Sequence, residues 1–401
     1  MKSQNFIQLE HDFGAHNYLP IPVVIEKSDG VWLWDVDGKR YLDMMSAYSA
    51  VSHGHRHPRI MKAMAEQMKK SCVVSRAYHT DQLGPFCKKL CELSGFDKVL
   101  PMNTGAEAVE TAIKGIRKWG YDVKGIPAGQ AEIIVAGQNF HGRTTTIVSF
   151  SSEKTYKHGF EPLTPGFKEI PFGDAAALEA AITPNTCSFL VEPIQGEAGI
   201  IVPPEGWLTQ IREICTKHNV LLVMDEVQSG LGRSGALFAF QHENIQPDGL
   251  ILGKALGGGV LPVSAFLATD DVMQVFTPGT HGSTFGGNPL ALSVAMEALQ
   301  VLIDEKLIEK SAKLGGYLMQ RLKDLNSPLI TDIRGKGLWI GVEINPDMVS
   351  ARKVCEKMAD LGVLSKETRK TVVRLAPPLT ITQEELDHGI ELFAQALKSF
   401  G

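Results

Sequence analysis

Five short apolar runs, each followed by a longer stretch of helical periodicity or a turn, limit the architectures open to this chain. They read AEIIVAG (131–137), CSFLVEPI (187–194), NVLLVMDEV (219–227), DGLILG (248–253) and VSAFLAT (263–269). Between the second and third, GWLTQIREICTKH (206–218) repeats its apolar residues at helical spacing. Strands alternating with helices predict an α/β fold, a mostly parallel mixed sheet flanked by helices. Ligands of such sheets collect beyond the carboxyl ends of the strands. The residues that end these runs are therefore the candidates: Gln138 to Arg143, Glu192 to Glu197, Asp225 to Gln228, and Lys254.

Beyond Pro289 the pattern changes to α+β. A long helical stretch (ALSVAMEALQVLIDEKLIEKSAKLGGYLMQRLKDL) leads into LITDIRGKGLWIGVEI, a helix near 351–361, TVVRLAPPLTI and a closing helix from Gln383. The expected division is a large domain over 46–290 and a smaller α+β domain over 291–401. The first 45 residues contain GVWLWDVDGKRYLDM, a hairpin turned at Asp37-Gly38, and are expected to pack with the small domain.

A formal net charge of −5, with no dense run of lysine or arginine, argues against nucleic acid and anionic membranes as partners. The window 249–268 is apolar apart from Lys254, but five glycines and a proline within it oppose a membrane helix. The start, MKSQNFIQLEHDFGAHNY, lacks the apolar core of a signal peptide, so a cytoplasmic location is expected. The six cysteines are scattered with no C-x-x-C pair, which reads as free thiols.

Lys254, in LGKALGGG, has three readings. A phosphate-binding P-loop fails, because Ala255 follows the lysine and no glycine stands five residues before Gly253. The others are a Schiff-base lysine, whose neutral amine an apolar setting favours, and a strand-end lysine reaching for water. Asp225, ending the run LLVMD, favours the first of these: a semi-buried carboxylate needs a cationic partner or hydrogen bonds, and the N–H of a bound pyridinium would supply both, while a helix cap or strand-end turn is the other reading of an isolated aspartate. PMNTGAEAVETAIKGIRKW offers Asn103 to Ala106 ahead of an amphipathic helix, a pattern suited both to a phosphate and to an ordinary helix cap. HGSTFGGNPLA, with Ser283 and Thr284 before two glycines, is a second candidate phosphate contact.

These motifs, with SRAYHTDQLGPF, NFHGRTT, VEPIQGEAGI, MDEVQSGLGRSG and VRLAPPL, run through nearly the whole chain. Together they resemble the class III (subgroup II) pyridoxal-phosphate aminotransferases of fold type I. The resemblance implies pyridoxal 5'-phosphate bonded to Lys254, with Asp225 at the pyridine nitrogen and Gln228 near the phenolic oxygen. It places Phe140 on the ring face and Gly105 and Ala106 about the phosphate, for which Ser283 is a further candidate from the residues. It also implies a homodimer in which Thr284 reaches the partner's cofactor.

Within that family the match is to enzymes that move the δ-amino group of L-ornithine to 2-oxoglutarate, giving glutamate 5-semialdehyde and glutamate. Acetylornithine, γ-aminobutyrate and lysine ω-aminotransferases are the alternatives. The resemblance assigns Arg143 to a substrate carboxylate and Arg374 to the α-carboxylate of 2-oxoglutarate or glutamate, with Glu197 able to mask Arg374. Tyr48 replaces an aliphatic residue of the acetylornithine enzymes, and its phenol can bond the free α-amino end of ornithine. His79 and His141 stand where animal relatives carry tyrosine and tryptophan, and are expected among the substrate contacts. His53, His55 and His57 alternate in SHGHRHP, but Pro58 follows, no acidic residue or thiol nearby completes a ligand set, and no metal is expected.

Overall fold

The computed structural model describes residues 2–401. Its largest sheet has seven strands: Lys98–Met102, Ser264–Ala268, Gly249–Leu252, Leu221–Asp225, Thr186–Val191, Glu132–Ala136 and Phe167–Ile170, in that spatial order. The last five of these run parallel, whereas Ser264–Ala268 is antiparallel to both its neighbours. All five apolar runs of the sequence became strands of this one sheet.

Their side chains sort by alternation. Ile134, Ala136, Phe189, Val191, Leu222, Met224, Leu250 and Leu252 enter one apolar cluster. Ile133, Val135, Leu190, Val223, Ile251 and Phe266 enter a second, which also receives the buried face of the helix Gly105–Asp122. With both faces covered, the strands can be apolar throughout, as their sequences are.

Two four-stranded sheets complete the fold. One has Ile330–Gly335, Ile340–Ile344, Val372–Leu375 and Lys366–Thr368 in antiparallel order. The other joins Ile25–Asp29 and the hairpin Trp32–Asp35 with Arg40–Asp43 to the short strand Val363–Leu364, so the beginning and end of the chain share a sheet. The long helical stretch after Pro289 is two helices, Pro289–Asp304 and Leu307–Lys323. Lys306 breaks them with φ of 51°, yet both bury a face in the same cluster, so the apolar periodicity runs on across the break.

Among the described residues no helix is long and apolar enough to cross a membrane. The six cysteines are unpaired. The three alternating histidines part company: His53 meets the Ala298 carbonyl at 3.0 Å, His55 the Asp43 carboxylate at 2.8 Å and His57 the Glu305 carboxylate at 3.1 Å.

Candidate active site

Strand Leu221–Asp225 delivers Asp225 to the carboxyl edge of the large sheet, and strand Gly249–Leu252 beside it delivers Lys254. Between them lies a cavity of about 190 Å³, lined also by Gly105, Ala106, Phe140, His141, Glu192 and Gln228. Residues from five strand ends, far apart in sequence, thus meet at one sheet edge.

Lys254 begins a short 3₁₀ turn with φ of 44°, in the left-handed region where side chains are strained. Burial lowers its pKa, while Glu197 and Asp225 act the other way without reversing the direction. The neutral amine, the nucleophilic form, is therefore favoured.

Asp225 is buried, and one carboxylate oxygen accepts from the Val227 amide at 3.0 Å. The other meets His141 Nδ1 at 2.6 Å. His141, a candidate substrate contact, lines the cavity with its ring enclosed and its Nδ1 turned to Asp225. Burial alone would depress its pKa, yet the hydrogen bond and charge of Asp225 outweigh that and raise it. Its Nε2 has no partner within the chain. Glu192, also enclosed, has its pKa pushed up to about 7 by burial, and its carboxylate accepts from the Phe140 and Gly196 amides at 3.0 and 3.3 Å. Glu192 has no motif role that marks it as a site residue; only its position at a strand end points to it.

The helix Gly105–Asp122 starts at the cavity wall. Thr104 caps it and Glu107 closes a capping box, so the ordinary helix-cap reading of that motif also holds. A Cβ at Gly105 would come 3.0 Å from Val227 Cγ1, so any larger residue at the helix start would press on the Val227 side chain. Asn103 bonds Ser283 Oγ at 3.2 Å, which seats Ser283 beside that helix start. Ser283 and the exposed Thr284 line a neighbouring cleft of about 480 Å³ that shares Ala106 with the cavity.

Arg374, on strand Val372–Leu375, is 1% exposed. Its Nη2 lies 2.9 Å from Glu197 Oε1, and its buried Nη1 has no partner. Burial pushes the Glu197 pKa upward, but Arg374 and Lys254 overcome it and hold the carboxyl below its ordinary range. Tyr48 stacks its ring 5.1 Å from the Arg374 guanidinium, and its pKa is raised, first by burial and then by Glu197. The Tyr48 carbonyl receives a long contact of 3.4 Å from Gln228 Nε2. Arg143 is exposed and rests on the Tyr156 ring at 3.6 Å and the Phe140 ring at 5.4 Å. Tyr156 carried no signal in the sequence. His79 is exposed and does not line this cavity.

The chemistry of this set fits a pyridoxal phosphate: a carboxylate for a ring nitrogen, an amine for an aldehyde, an aromatic face, and an open helix start for a phosphate. The chain belongs to the aminotransferase class-III family, whose pattern it matches over residues 13–397. It is 55% identical over 396 residues to the ornithine aminotransferase of Brevibacillus brevis, covering 99% of this chain and 98% of that one. A structure of the ornithine aminotransferase from Toxoplasma gondii, with partial occupancy of PLP at its active site, superposes with a TM-score of 0.98. That chain is 44% identical, with 99% of this chain and 94% of that one covered. An acetylornithine aminotransferase from Elizabethkingia anophelis is 49% identical with a TM-score of 0.90, over 99% of both chains.

Proposed function

We propose that the chain is a pyridoxal-phosphate-dependent transaminase that moves the δ-amino group of L-ornithine to 2-oxoglutarate, yielding glutamate 5-semialdehyde and L-glutamate. The observation that carries the substrate reading is the buried Arg374, half paired with Glu197 and half free, beneath the Tyr48 ring.

Lys254, Asp225, Gln228, Phe140, Gly105, Ala106 and Ser283 would hold the cofactor, and Thr284 would serve a second copy of the chain in a homodimer. When bound, pyridoxal phosphate supplies a carbonyl that condenses with amines and a ring that takes up the electron pair released at the reacting carbon. Asp225, held by His141 and the Val227 amide, keeps a proton on the ring nitrogen. Lys254 Nζ, biased toward its neutral form, would accept the proton from the reacting carbon and deliver it to the carbonyl-derived carbon of the cofactor, so that the amino group stays behind.

Two substrates must be read by one site. Ornithine must present its δ-amine, so its α-carboxylate has to stay away from Arg374, and Glu197 masks that guanidinium. Glutamate must present its α-amine, and its α-carboxylate displaces Glu197 to pair with Arg374. Arg143 would take the remaining substrate carboxylate, and the Tyr48 hydroxyl the free α-amino group of ornithine. A cytoplasmic location accords with this chemistry.

Acetylornithine transfer is the competing reading, favoured by the similarity to the Elizabethkingia protein. Comparing ornithine with N-acetylornithine in the donor half-reaction separates them. The ornithine assignment requires faster cofactor conversion by ornithine; faster conversion by the acetylated donor overturns it.

A further inference from the structure

The four residues Ser46, Ala47, Tyr48 and Ser49 have φ of 50°, 46°, 59° and 73°. This is one turn of left-handed helix built without a glycine, a conformation L-residues resist. Such a turn persists only where its surroundings over-determine it, and here they do so at both ends. At the leading end the buried Asp43 carboxylate accepts from the Met45 and Ser46 amides, each at 2.8 Å through Oδ1. Its other oxygen meets His55 Nε2 at 2.8 Å. Ser46 Oγ then donates to the Ala376 carbonyl at 2.6 Å, tying the turn to the segment just after Arg374. At the trailing end Ser52 Oγ donates to the Ser49 carbonyl at 3.0 Å, and Ser52 Oγ is in turn held by the buried Arg233 at 3.0 Å.

The residue this clamp presents is Tyr48, whose ring covers Arg374. We infer that Asp43, backed by His55, is a positioning residue that sets donor preference by holding the left-handed turn, and with it Tyr48, against Arg374. Asp43 does not line the cavity, and its carboxylate bonds the Met45 and Ser46 amides and His55, so its influence on Tyr48 runs through the backbone of the turn. The inference rests on the reading of Tyr48 as a substrate residue. Without the carboxylate the two amides lose their acceptor, the turn relaxes toward right-handed backbone, and the phenol leaves its place.

The test uses the holoenzyme and both half-reactions, with Asp43→Ala, Tyr48→Phe, the double variant and Asp43→Asn. Asp43→Ala and Tyr48→Phe should each raise the KM for ornithine about tenfold, with the KM for glutamate moving far less. The double variant should be no worse than the worse single one, because both remove the same contact. Asp43→Asn keeps an acceptor oxygen for the amides and should return the ornithine KM to near its native value.

Multiplying effects in the double variant, an equal rise for glutamate, or no rescue by asparagine would each overturn the inference. So would a rise with Asp43→Ala while Tyr48→Phe is silent; silence of Tyr48→Phe also sinks the reading of Tyr48. A rise with Tyr48→Phe alone refutes only the role of Asp43. Should Asp43→Ala not fold, Ser46→Ala cuts the tie to Ala376 and must move the ornithine KM in the same direction for the inference to stand.

Discussion

Replacing Glu197 by glutamine isolates the charge that masks Arg374 while keeping its size. In the native chain Glu197 Oε1 sits 2.9 Å from a guanidinium that is 1% exposed, while the glutamate side chain retains 27% exposure. Two unit charges about 4 Å apart interact by roughly 4 kcal/mol at an effective dielectric of about 20. Solvent reaching Glu197 cuts this to about half, so an incoming α-carboxylate gains about 2 kcal/mol when the competing charge is gone. The glutamate half-reaction of Glu197→Gln should therefore reach half-saturation at roughly thirtyfold lower glutamate. Ornithine, whose own α-carboxylate can now reach Arg374, should present its α-amine as well. Its products then include 5-amino-2-oxopentanoate besides glutamate 5-semialdehyde, and NMR distinguishes the two cyclised forms. The unpaired Arg374 also weakens the fold, so glutamate should raise the melting temperature of the variant more than that of the native protein. Unchanged glutamate saturation with ornithine still converted only at its δ-carbon would refute the masking argument.

Two further outcomes follow from other parts of the molecule. A side chain at Gly196 would lie 2.0 Å from Gln228 Oε1 and 2.8 Å from Trp339 Cζ2. Because Trp339 is fully buried, Gln228 must yield; Gly196→Ala should lower kcat at least about tenfold and stability by about 1–3 kcal/mol, and native-like kinetics would disprove the packing argument. His53 is fully buried, with its pKa pushed down to about 4 from 6.5 chiefly by burial. Between those values the unfolded chain binds the proton and the native one does not, so stability falls as pH falls. The loss from this residue should be about 2 kcal/mol between pH 7 and 5. Urea midpoints should drop over that range, less so in His53→Gln, and equal slopes in both proteins would contradict the assignment.

What could be read from the sequence was what repeats locally. The runs ending at Val191, Asp225 and Leu252 alternate between two apolar clusters, and the strand ends gathered into one cavity because parallel strands share a carboxyl edge. The direction of Ser264–Ala268 was not legible, since an apolar strand reads the same whichever way its neighbours run. Nor was the break at Lys306, where both helices face the same core and the periodicity is uninterrupted.

The site divides along the same line. Lys254 and Asp225 announce themselves as polar groups in apolar runs, but the pairing of His141 with Asp225 spans 84 positions, and no local pattern records it. The turn at Ser46–Ser49 is the extreme case. Its sequence contains no glycine, asparagine or aspartate to mark a left-handed backbone, and the groups that hold it lie outside it. Asp43 is near in sequence, but Arg233 and Ala376 are remote. A conformation opposed by its own residues and sustained by distant ones is invisible to any reading based on local preference. Where such a turn carries a substrate residue, as proposed for Tyr48, the resistance becomes the observation that points to function.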